Sequence, residues 1–183
     1  MKNLFVIIGA LTLITNCKKE ENIEHASCNN LTTENSWSII NFKTDYSIQV
    51  PDGFKGPGMV GFEGNNFFKY SSDTSIIFEY GYCNGLFCFD FGDTLKSPIP
   101  NSIKVKDNAG NLITLNNIQK FCQNSETVGV LYYLDDLVSD NPLYWNSRLY
   151  WKDNGQFKQA MQIRFQSSGL KTVNEIIQTI KSK

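Results

Sequence analysis

Residues 143–165 read LYWNSRLYWKDNGQFKQAMQIRF, two alternating runs on either side of Asp153-Asn154-Gly155. A three-residue loop with Gly155 left-handed joins such runs as antiparallel strands. In that register Trp151 meets Phe157, Ser147 meets Met161, Trp145 meets Ile163 and Leu143 meets Phe165. The opposite face carries Tyr144, Asn146, Arg148, Tyr150 and Lys152 against Lys158, Ala160, Gln162 and Arg164. Alternation this regular predicts a hairpin with one buried and one wet face.

Two more hairpins follow from the same logic. Ser75 to Asp90 turns at Asn84-Gly85, the dipeptide favoured in type I′ turns, and aligns Phe78, Tyr80, Tyr82, Phe87, Phe89 and Phe91 on a core face. Ile103 to Ile118 turns at Asn108-Ala109-Gly110, which sets Val105 opposite Ile113 and Ile103 opposite Leu115. Glu126 to Leu134 is apolar enough for a central strand, and Tyr46 to Val50 alternates as a strand that stops at Pro51. Asp52 to Gly64 holds five glycines and a proline and reads as loop. At the end, Thr172-Val173-Asn174-Glu175 has capping-box spacing, and Leu170, Val173, Ile176, Ile177 and Ile180 form one apolar stripe. The fold class is therefore α+β, a mostly antiparallel sheet with a C-terminal helix packed on one face.

The chain begins with a basic start, an apolar run from Leu4 to Ile14, and then Thr15-Asn16-Cys17-Lys18-Lys19-Glu20-Glu21. Such a run is too short to span ~30 Å of hydrocarbon, which needs about 20 residues, so it reads as an export signal. Ile14-Thr15-Asn16-Cys17 resembles the lipobox of bacterial, Bacteroidota-type lipoproteins, with Asn16 where Gly, Ala or Ser is usual. The resemblance implies cleavage before Cys17, acylation of that cysteine and attachment to the outer membrane. Lys18-Lys19-Glu20-Glu21 is similar to a surface-export signal of such lipoproteins and reads equally as a solvated charged tether. The expected organisation is a signal peptide at 1–16, a lipid-anchored polar tether at 17–36 and a single domain at 37–183.

The domain itself carries a second resemblance. The strand YSIQVP at 46–51 with Phe54 behind it, the antiparallel strands and the closing EIIQTIKSK at 175–183 resemble the PsbP-like superfamily. That implies an α/β/α sandwich and no particular activity, since its members differ in role.

Composition excludes several functions. Loss of residues 1–16 removes Lys2 and leaves 16 basic against 18 acidic residues, without the basic excess of a nucleic-acid binder. The single histidine, His25, lies in the tether, so a Ser-His or Cys-His nucleophile has no base in the domain. No motif implies a cofactor or a metal. Asp90-Phe91-Gly92-Asp93 and Asp135-Asp136 lack EF-hand spacing and read as turn acids.

With Cys17 acylated, Cys28, Cys83, Cys88 and Cys122 remain, an even number suited to disulfides outside the cytoplasm. Four cysteines allow three connectivities; the expected one pairs Cys83 with Cys88 and Cys28 with Cys122. Cys83 and Cys88 sit diagonally on their hairpin, at ~7–8 Å, so a bond there needs strong local twist.

The wet face of the 143–165 hairpin is the candidate binding surface, through Tyr144, Arg148, Tyr150, Lys152, Lys158 and Arg164. The same residues would also serve simply to keep a sheet soluble. The functional expectation is a non-enzymatic, lipid-anchored envelope protein that binds, or is an accessory subunit for, another macromolecule. A surface glycan-binding module is the alternative, and a thiol-disulfide protein using Cys83 and Cys88 a further one.

Overall fold

A computed structural model describes residues 27–33, 36–42, 46–60, 65–70, 76–81, 94–106, 110–134 and 146–182. In chain order the strands are β1 (Cys28–Asn30), β2 (Ser38–Phe42), β3 (Tyr46–Val50), β4 (Phe54–Val60), β5 (Asn65–Tyr70), β6 (Ile77–Gly81) and β7 (Thr94–Leu95). They continue as β8 (Ile103–Lys106), β9 (Leu112–Leu115), β10 (Asn117–Gln123), β11 (Glu126–Tyr133), β12 (Ser147–Asp153) and β13 (Gln156–Arg164). A 3-10 turn at Ser167–Gly169 leads into α1 (Leu170–Gln178), and β14 (Lys181–Ser182) follows. The main sheet runs β1-β10-β11-β12-β13-β6-β5-β4, with β7 also on β13. All its pairs are antiparallel except β1 with β10.

One face of this sheet lies under α1 and a small sheet ordered β14-β3-β2. Ile40, Phe42, Ile48 and Val50 of the small sheet and Val173, Ile176 and Ile177 of α1 pack on Phe78, Phe121, Leu131, Leu149, Met161 and Ile163. The helical stripe is thus buried as its spacing predicts, but the capping box is not used. α1 begins at Leu170 after Gly169, with no side-chain cap, and Thr172 is already inside the helix. The 3-10 turn has started the coil one turn early. Thr179 then stops it: its Oγ1 accepts the Gln49 N–H at 2.8 Å and lies 2.7 Å from Ile176 O. That bond lays Lys181 and Ser182 beside Ser47 and Tyr46 as β14.

The opposite face is buried too. Val130, Tyr132 and Tyr150 pack with Val105 and Leu115 of the β8–β9 hairpin, beside Leu95, Ile99 and Phe157. Val105 faces Ile113 and Ile103 faces Leu115, the predicted register, and Gly110 is left-handed with φ +85°. Among the described residues this second layer is a hairpin, where an α/β/α sandwich has a helix. The mostly antiparallel α+β architecture stands.

Local readings need correction. Asn154 and Gly155 both have positive φ, 49° and 79°, and Asp153 pairs with Gln156, so the β12–β13 turn has two residues rather than three. Register then shifts between Leu149 and Tyr150, so that Leu149 meets Met161 and Ser147 meets Ile163. The bulge leaves Leu149, Trp151 and Met161 on the core face but turns Phe157 to the other. The glycine-rich stretch expected as loop contains β4, which pairs with β5. The expected tether also ends sooner: Cys28–Asn30 is already sheet. Of the aromatic hairpin, Phe78 and Tyr80 are core as expected, but Phe78 lies between Phe68 of β5 and Ile163 of β13, so its expected pairing with Phe91 is not formed. Tyr82 to Asp90, including Cys83 and Cys88, lies outside the described residues, as do Tyr144 and both aspartate clusters.

Gly129 faces Trp151 across the β11–β12 pair. A Cβ at Gly129 would stand 2.3 Å from the indole Cζ3, so the ring lies directly on bare backbone. Gly129→Ala is therefore expected to cost about 1–3 kcal/mol by overpacking, measured by urea unfolding. Combined with Trp151→Phe, its additional cost should shrink, because the smaller ring leaves room for the methyl.

Tyr132 is fully buried and donates to Pro100 O at 2.6 Å. Burial, with Tyr150 beside it, pushes its phenol well above the ordinary value. A raised folded-state pKa gives stability that is complete below the unfolded value of about 10 and is lost as pH climbs beyond it. The urea midpoint should therefore fall as pH rises past about 10. Tyr132→Phe should start lower at neutral pH and decline less steeply.

Candidate functional site

The centre of the predicted binding face, at Arg148 and Tyr150, is buried. Arg148 and Tyr150 are 6% and 3% exposed beneath the β8–β9 hairpin and the chain before it. The Arg148 guanidinium donates to Ser147 O at 2.8 Å and to Lys106 O at 3.3 Å, which ties β12 to β8. Tyr150 meets the Tyr132 ring edge-on, with centroids 5.9 Å apart. Arg164 is half-buried, and desolvation lowers its pKa. All three are engaged in the fold. Lys158 pairs with Asp153 at 2.8 Å, and Lys152 pairs with Glu126. Of the five candidates among the described residues, only Lys152 lines the main cleft.

That cleft, of about 990 Å³, opens at one end of the sandwich. Four structural features bring its walls together. The β10–β11 turn contributes Asn124 and Ser125, and the β12–β13 turn contributes Asp153 and Asn154. The chain leaving β1 contributes Asn30 to Thr33, and β14 with Ile180 closes the far side. Leu31 N–H donates to Cys122 O at 3.0 Å and Thr32 N–H to Gln178 O at 3.0 Å, so this chain bridges the main sheet and the end of α1. Trp151, Val128 and Tyr46 supply the apolar part of the lining.

A disulfide joins Cys28 to Cys122, with Cα atoms 5.8 Å apart, inside the ordinary ~4.4–6.8 Å range. The expected partner for Cys28 is thus the one found. The bond sits where β1 lies parallel on β10, and Asn29 Nδ2 adds a 3.0 Å bond to Gln119 Oε1. Without it, the cleft wall would be held only by three residues of parallel edge strand and the hydrogen bonds of Asn29, Leu31 and Thr32.

The cleft is missing from the sequence reading because its walls come from segments far apart in the chain. Gly129 was the available signal, since glycine inside a strand marks a close approach. Asn124-Ser125 is a weaker turn signal than Asn-Gly, yet both residues are left-handed, with φ 50° and 65°. A bulge between Phe121 and Cys122 further blurs the alternation of β10.

No family model, curated protein or solved structure matches the chain.

Replacing Cys28 and Cys122 together by serine should cost about 2–5 kcal/mol, because the bond closes a loop across a sequence separation of 94. Urea unfolding of the variant should match that of the reduced wild-type protein. Amide exchange should quicken first at Asn30 to Thr32.

Proposed function

We propose that this chain is a non-enzymatic lipoprotein of the cell envelope, anchored through acylated Cys17 to the outer membrane, whose domain binds another macromolecule at the end-on cleft. The observation that carries the proposal is the Cys28–Cys122 disulfide. Such bonds persist in oxidising compartments, which agrees with the export signal and lipobox at residues 1–17. The bond also holds the chain that leaves β1 against the cleft, on the side from which the proposed tether enters the domain. A cleft of about 990 Å³ that places Trp151 and Tyr46 among several amide and hydroxyl groups supports a binding role. The PsbP-like relationship belongs to the same proposal; a terminal helix on an antiparallel sheet supports it, and it brings no activity with it.

Fractionation of cells expressing the wild-type chain or Cys17→Ala tests the anchor. The wild type should pellet with membranes and carry acyl chains on an N-terminal Cys17 by mass spectrometry. The variant should be released; a variant that stays in the pellet would defeat the proposal.

A further inference from the structure

We infer that the end-on cleft takes an uncharged, hydroxyl-rich ligand, a segment of a neutral oligosaccharide. The inference rests on the domain being a binding protein and adds the class of ligand. Charge comes first. Of the charged side chains in the lining, Lys152 is held by Glu126 and Asp153 by Lys158 at 2.8 Å, with exposed Lys181 the third. An anion at Lys152 or a cation at Asp153 would have to compete with an existing ion pair, which leaves Lys181 at the rim as the one lining charge outside these two pairs.

The remaining polar groups suit hydroxyls. Asn30, Gln123, Asn124 and Asn154 each offer an amide donor and an amide acceptor, and Thr32 and Ser125 offer groups that do both. A sugar hydroxyl likewise donates and accepts, so amide-rich walls match it where a row of single-purpose groups would not.

Both aromatic rings in the cleft are held in place before a ligand arrives. Tyr46 stacks on Phe42 with centroids 5.6 Å apart and planes 20° off parallel. Trp151 is 7% exposed, pressed on Gly129, and presents its remaining surface to the cleft. Fixed rings lose little freedom on binding and give the C–H faces of a sugar an apolar surface.

An extended peptide fits less well. It would add a strand to a sheet edge, and the edge strands at this cleft, β1 and β14, have three and two residues.

The full chain in a zwitterionic detergent can be titrated with cellohexaose, laminarihexaose, maltohexaose, mannohexaose and xylohexaose. A galacturonate hexamer serves as the charged control and a mixed nonapeptide pool as the peptide control. Calorimetry and tryptophan emission report binding. At least one neutral hexaose should bind and change the emission, and the galacturonate should not. Gln123→Ala and Asn30→Ala should each weaken that binding about fivefold to tenfold, the loss of one hydrogen bond, with an unchanged urea midpoint. No neutral hexaose binding, or binding indifferent to both substitutions, would overturn the inference. Nonapeptides binding instead, with the same sensitivity to Gln123→Ala, would overturn the ligand class and leave the proposed binding function standing. Failure of the anchor would appear separately, in the fractionation of Cys17→Ala.

Discussion

The indole of Trp151 lying on the backbone of Gly129 is the contact on which the layout of the sandwich turns. Any side chain at position 129 would lift the ring off β11 and push it toward the small sheet. With the ring down, Trp151 fills the core beneath that layer and still borders the cleft. Packing and site construction are therefore one event at this position. A glycine within a strand ordinarily weakens it; here the cross-strand aromatic covers the exposed backbone and replaces the missing packing.

The middle of the main sheet is buried on both faces, which explains the fate of the predicted binding surface. Arg148 and Tyr150 alternate with Leu149 and Trp151, and alternation of that kind normally marks a solvent face. Yet the β8–β9 hairpin folds back over them. Burial of Arg148 is tolerable because its guanidinium donates to two backbone carbonyls, of Ser147 and Lys106, one on each layer. Its cost of desolvation is thereby offset by charge-assisted bonds. Tyr150 needs less, since its ring is apolar and meets Tyr132 edge-on. Polar spelling on a strand thus announces which side chains have groups to satisfy, not which of them reach water.

What was legible in the residues were the elements whose pattern is local. The α1 stripe, the register of β8 with β9, the limits of β3 and the central place of β11 all follow from spacing and turn chemistry over ten to twenty residues. The losses share a different cause. A one-residue bulge beside Ala160 moves Phe157 to the other face while Met161 and Ile163 stay, and no propensity marks where a strand will slip. β4 looks like loop because five glycines crowd the stretch around it, yet pairing with β5 supplies what propensity lacks. The cleft was least legible, since Thr32, Asn124, Asn154 and Lys181 meet only once both sheets are assembled. Cys28 with Cys122 was the exception among long-range contacts, because cysteines leave few ways to pair.

That exception also bears on the proposed anchor. Cys28 follows Cys17 by eleven residue steps, which span at most about 40 Å when fully extended. With Cys17 acylated as proposed, the disulfide forbids any lengthening of this reach by unpeeling β1. Asn30, two residues beyond Cys28, already lines the cleft. Under that proposal the cleft would stay within roughly that distance of the lipid, where two proteins or polymers attached to the same membrane meet at high effective concentration. A modest affinity in solution suffices there. The physical role of the Cys28–Cys122 bond within the fold is to stabilise a short parallel strand; under the proposed anchor it would also cap the reach of the tether.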